Sequence, residues 1–207
     1  MIRHPMITLS REYGSGGHDI GEQLAKRLDL PFYDNELISI AAKDSGYGES
    51  LFHEAERTAS NPVSFAFKIA TAGRRPFNMP LNNQLFSIQS SLIRTIADQG
   101  SALFVGRCAD WVLKDYAPCI NIFIQADLAC RVRRVMERMR VGRTEAEELA
   151  RRTDKCRATY YNFYTDQRWG ARGNYHIVIN SSVGPDFCVD LLEGFCRKRL
   201  EALKQEP

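Results

Sequence analysis

Gly14-Ser15-Gly16-Gly17-His18 follows the β-branched run Ile7 to Ser10 and leads directly into apolar residues at Ile20, Leu24 and Leu28. Strand, glycine turn and helix in that order make a phosphate-binding loop, because successive backbone N–H groups and the helix N-terminus face an anion together. The usual loop closes with Gly-Lys-Ser/Thr, whose lysine reaches the outer phosphates and whose hydroxyl holds magnesium. Here those places read Gly16, Gly17 and His18. Gly14, Ser15, Gly16 and Gly17 keep the backbone part of an ATP-phosphate site, and His18 can donate to a phosphate from the helix start. Phosphoryl transfer asks a protein chiefly for positioning and charge neutralisation, so another cation can replace the lysine. Arg11 is one candidate, either bent back toward the β- and γ-phosphates or held in a structural salt bridge with Glu12 or Asp34.

The other candidates lie in a basic run. From Arg131 to Arg157 there are ten Lys/Arg against five Asp/Glu. Arg131 and Arg134 are three apart, as are Arg140 and Arg143, so each pair shares a face of a continuous helix. Guanidinium groups match phosphate oxygens in planar geometry; the bland alternative is a solvated helix face. Asp110, after Gly106-Arg107-Cys108-Ala109, either accepts a hydrogen bond from substrate or metal-bound water or caps a helix. Tyr160, Tyr161, Phe163 and Tyr164 have helical spacing, which favours packing over stacking on a base. Asp19, Ser10, Ser15 and Asp34 offer oxygens near the loop, but the metal ligands stay unassigned.

Strand-like runs at Met6 to Ser10, Ala102 to Val105, Cys119 to Ile124 and His176 to Asn180 must position these residues. Each is followed by polar or glycine-containing sequence and then helical periodicity, the pattern of a parallel sheet covered by helices. Pro31 to Tyr33 adds a short strand, and Asp186 to Leu203 reads as a closing helix. From Ser39 to Asn83 the sheet pattern lapses, and "AGRRPFNMPLNN" reads as a long loop, either a binding loop or a surface excursion. A second irregular region is expected after the helix carrying Arg131 to Arg138.

With 207 residues, 44% of them hydrophobic and 26% charged, the chain is expected to form a single domain. A net charge of +3 is too small to imply nucleic-acid binding. Six cysteines at irregular spacing read as reduced thiols of a cytoplasmic protein. No run approaches the ~18 apolar residues of a membrane span. Homodimerisation is left open.

"ITLSREYGSGG", "PFYDNELI", "FVGRCAD", "APCINIFIQADLACRVRR" and "DKCRATYYNFYTDQRWG" together resemble the cytidylate kinase-like family of P-loop nucleoside monophosphate kinases. The likeness covers nearly the whole chain and is weakest from about residue 46 to 85. It implies a three-layer α/β fold with a central parallel sheet, a helical insert and an arginine-rich lid. The acceptor region falls at about 39–90 and the lid at about 131–160. By the same resemblance Arg131 and Arg134, with Lys155 and Arg157, become lid residues. The resemblance makes Arg107 an acceptor-phosphate residue; Asp34 and Asp110 are further acceptor-side candidates, and ATP, with magnesium, is the expected donor.

The chain also departs from that family. Arg11 takes the place of the loop's first glycine and Gly17 the place of its lysine. A Tyr-Arg-Ala stretch that grips the monophosphate has no match after Asp34. The expected function is ATP-dependent phosphoryl transfer to a small molecule, by resemblance a nucleoside monophosphate such as CMP. The alternative is a nucleotide-binding regulatory or interaction protein with little kinase activity.

Overall fold

Ile7 and Leu9 are fully buried in the central strand of a parallel sheet, and their side chains set the level at which the loop leaves it. The computed structural model describes residues 4–58, 81–116 and 118–205. β1 (Met6–Arg11) is followed by α1 (Gly17–Leu28), β2 (Phe32–Tyr33), α2 (Glu36–Ser45) and α3 (Glu49–Thr58). Then come α4 (Leu81–Gln99), β3 (Leu103–Val105), the short α5 (Ala109–Val112) and β4 (Cys119–Gln125). α6 (Leu128–Met139), α7 (Arg143–Thr165), β5 (Ile177–Asn180) and α8 (Pro185–Gln205) complete the order.

The five strands of this sheet run in the order β2-β3-β1-β4-β5, all parallel. Ile7 faces Leu103 on one side and Ile120 on the other, which fixes β1 as the axis. α1 and α8 cover one face through Ile20, Leu24, Val189 and Leu192; α4 and α5 cover the other through Ile93, Ile96 and Val112. Parallel strands buried on both faces need such continuous apolar runs. In open sheets of this kind ligands bind beyond the carboxyl ends of the strands, where connections diverge. Arg11, Gly106 and Asp34 all lie at those ends.

Two expectations change. The irregular region expected after Arg138 is a 23-residue helix, α7, separated from α6 only by a turn at Arg140 to Gly142. Arg140 caps α6 in the left-handed conformation, with φ 55°. Arg140 and Arg143 therefore do not share the face of one helix. Of the expected loop at 73–83, Leu81, Asn82 and Asn83 form the first turn of α4, and the rest lies outside the described residues. Among the described residues no helix is long and apolar enough to cross a membrane.

Candidate functional site

The loop between β1 and α1 owes its shape to two glycines in the left-handed region, Gly14 at φ 77° and Gly16 at φ 75°. Side chains are strained there, whatever the surrounding space. Gly14 is also crowded: a Cβ would stand 2.8 Å from the Arg131 carbonyl oxygen. Ser15 is fully buried, donates its hydroxyl to the Glu12 carbonyl at 2.8 Å and accepts from the Gly17 N–H at 3.3 Å. Among the described residues the N–H groups of Gly16, His18 and Asp19 have no acceptor. These are the orphan donors of a helix start, and they make an anion cradle.

Arg11 runs alongside this cradle. A Cβ on Gly17 would lie 2.6 Å from Arg11 Cβ and 3.0 Å from Arg11 Cγ, so the arginine stem fills the space of a side chain at position 17. Its head passes over Gly106, where a Cβ would stand 2.5 Å from Nη1, and donates from Nη2 to Asp34 Oδ1 at 3.2 Å. The other carboxylate oxygen of Asp34 is 2.8 Å from His18 Nδ1. Asp34 is almost completely buried, whereas the His18 ring is half exposed and stands edge-on to Phe32. Of the two readings of Arg11, the structure shows the Asp34 salt bridge; the same placement leaves the guanidinium at the mouth of a cavity.

That cavity, about 280 Å³, opens between the ends of β1 and β3 and the helices α3 and α7. Arg11, Arg107 and Arg157 all line it, with Asn35, His53, Tyr160 and Trp169. Arg107 donates to Asn35 Oδ1 at 3.1 Å, and Arg157 to the Arg11 carbonyl oxygen at 2.8 Å. Burial lowers the Arg107 guanidinium to about 10, with repulsion from Arg11 adding to it. Burial and then Arg11 lower Arg157 to about 9. Arg11 itself is lowered by burial and partly restored by Asp34. Three partly buried guanidinium groups held close together make a site that gains from an incoming anion.

The remaining sequence candidates lie elsewhere. Arg131 is buried, pairs with Asp154 and Glu12, and donates to the Tyr13 carbonyl oxygen at 3.3 Å. Asp154 also accepts the Tyr13 N–H at 2.7 Å, so the pair ties the loop to α6 and α7. Arg134 donates to the Ser15 carbonyl at 2.9 Å and to Ser181. Lys155 is exposed on α7 and does not line the cavity. Asp110 is buried behind Tyr161, whose hydroxyl donates to its Oδ2 at 2.7 Å, and faces a neighbouring cavity of about 340 Å³. Burial raises the Asp110 carboxyl. Tyr160 and Tyr164 pack on Phe86, as their helical spacing indicates.

Asn35, His53, Thr153 and Cys156 line the cavity without having been expected there. Thr153, Cys156, Arg157 and Tyr160 recur at three- and four-residue steps, a shared helix face that is legible once α7 is known to be continuous. His53 carries no such mark.

The residues around the loop do not by themselves form a magnesium cage, and magnesium commonly keeps several waters and takes few protein ligands. Asp34 engages Arg11 and His18, His18 stands where the usual loop has a hydroxyl, and Asp19 is exposed. Among the described residues no group of three His, Cys, Asp or Glu could hold a metal ion. The cations built into the site are arginines.

Comparison with known proteins bears on the family and the fold. A cytidylate kinase of Methanospirillum hungatei is 29% identical over 79 residues, a match spanning 38% of this chain and 43% of that relative. The crystal structure of an uncharacterized protein from Eubacterium ventriosum has a TM-score of 0.71 at 28% identity, covering 93% of this chain and 98% of that one. A shikimate kinase from Bacteroides thetaiotaomicron shares the fold, with a TM-score of 0.54 at 13% identity over 93% of this chain and 98% of its own. The parallel sheet with helices on both faces is thus that of a P-loop kinase fold, and since its family model matches residues 6–183, the chain belongs to the cytidylate kinase-like family.

Proposed function

We propose that the chain is a single-domain ATP-dependent kinase that transfers the γ-phosphoryl group to a nucleoside monophosphate, with CMP the first acceptor to test. The observation that carries this reading is the path of Arg11. Its stem lies against the loop at Gly17 and its head lines the cavity beside Arg107 and Arg157, so one cation reaches from the donor side to the acceptor side.

In this reading the N–H groups of Gly16 and His18 bind the donor's phosphates, with the helix dipole of α1 adding to the attraction. Arg107 and Arg157 hold the acceptor phosphate, and Arg11 neutralises charge on the group in transit, the role that usually falls to the loop lysine. An acceptor phosphate oxygen is already ionised at neutral pH and attacks without a general base. Arg131 and Arg134 brace the loop from the side of α6, which deepens the expected lid role into one of support. Closure of the α6–α7 region, about 131–160, over the donor excludes water.

The test is transfer of labelled phosphate from ATP to each common nucleoside monophosphate, with the parent chain and Arg11→Ala. Acceptor-dependent labelling that Arg11→Ala abolishes supports the reading. ATP binding without transfer to any acceptor overturns it in favour of a nucleotide-binding regulatory protein.

A further inference from the structure

Asp34 faces four cationic or ionisable groups, each from a different element. Arg11 reaches it from the end of β1 at 3.2 Å, and His18 from the first turn of α1 at 2.8 Å. Arg107, after β3, and Arg157, on α7, act on the same region through their charges. The carboxylate is nearly closed to solvent, with 4% of its side chain exposed, so its two oxygens offer few alternatives to the partners they hold. Arg11 has equally little freedom. Gly17 confines its stem and Gly106 lies directly beneath its head, with clearances of 2.6 and 2.5 Å measured to the Cβ that each glycine lacks.

These constraints have different origins. Gly17 and His18 belong to the loop helix, beside the open N–H groups; Arg11 lines the acceptor cavity. We propose that Asp34 is a positioning residue that couples the two sides, transmitting the state of the loop at His18 to the orientation of Arg11 through its two carboxylate oxygens. This rests on the kinase reading for the identity of the ligands, but not for the coupling itself. An anion arriving at the helix start changes the field at His18 and competes for its ring. The Asp34 carboxylate then shifts between its two partners, and the Arg11 head, which lies close over Gly106, moves with it. A change of this kind is a coupling free energy between sites, and it is reciprocal.

The experiment uses the full chain with isotope-labelled arginine and follows the Arg11 Nε–H resonance, assigned by its loss in Arg11→Lys. ATP is added to saturation with no acceptor present. In the parent the resonance moves on ATP addition, and in Asp34→Asn at saturating ATP that movement is lost. His18→Ala gives the same loss. Because its ring is half exposed, that variant also carries the test if Asp34→Asn does not fold. Movement of equal size in the parent and in a folded variant overturns the proposal, as does an Arg11 signal that ATP leaves unmoved in the parent. Failure of transfer to every nucleoside monophosphate removes the kinase reading but leaves this result standing, since no acceptor is in the sample.

Discussion

Arg11 and Gly17 occupy one space between them: the stem of the arginine fills the volume that a side chain at position 17 would need, 2.6 Å from its missing Cβ. The usual loop has the reverse arrangement, glycine at the strand end and lysine at the helix start. The two positions are therefore coupled sterically.

Gly17→Lys alone should overpack this space. A cost of about 1–3 kcal/mol in unfolding free energy is expected, typical of forced insertion into a packed site. The paired change Arg11→Gly with Gly17→Lys should recover most of that stability and retain ATP binding. Denaturant unfolding of the two single variants and the double variant, with ATP titrations, measures the interaction between positions directly.

Gly106→Ala should harm activity more than stability. Gly106 has φ 72°, and an added Cβ would meet Arg11 Nη1 at 2.5 Å. Backbone strain of about 1–3 kcal/mol is expected, together with displacement of the Arg11 head. Turnover falling by far more than the unfolding free energy accounts for would bear this out; an unchanged rate would count against Arg11 as the transfer cation.

Arg157→Met should weaken acceptor binding about tenfold or more, the usual worth of a charged hydrogen bond to phosphate. The pH dependence has a definite sign. With the guanidinium groups of Arg157 lowered to about 9 and of Arg107 to about 10, both are charged at neutral pH, and the charge is lost progressively as pH rises through 9 and 10, Arg157 first. Anion affinity should fall across that window. Stability moves the other way: an unfolded-state arginine keeps its proton well above these values, so above about pH 9 the unfolded chain binds more protons, and these two groups favour folding increasingly as pH rises there. Acceptor titrations and unfolding curves from pH 7 to 10.5 separate the effects, and parallel trends would contradict the assignment.

Arg131→Met should act on stability first. Removing it leaves Asp154 and Glu12 without a buried counter-charge, a loss of about 3–5 kcal/mol when one partner of a buried pair goes. Because Asp154 also holds the Tyr13 N–H, Asp154→Ala should loosen the same loop. Both variants should lower the melting temperature well before saturating ATP is tested, whereas a lid residue acting only on bound donor would leave the unliganded melting temperature in place.

The strand–glycine–helix order of Ile7 to Leu28, the parallel sheet and the anion cradle at Gly14 to Gly17 were determined by local sequence. They depend on period, on turn chemistry and on the conformations only glycine takes freely, all of which act over a few residues. The sequence also marked Arg11, Arg107 and Arg157 as cations near phosphate. Only the tertiary structure decided where each arginine goes. Arg131 and Arg134 share the spacing of a lid pair, yet one is drawn into a buried pair with Asp154 and the other to the back of the loop by Ser15 and Ser181. Arg157 reaches the cavity because α7 is one continuous helix, which the basic run did not disclose. A guanidinium ends a long flexible stem, so its address is set by carboxylates and carbonyls that approach from elements 20 to 150 residues away, and no local pattern records them.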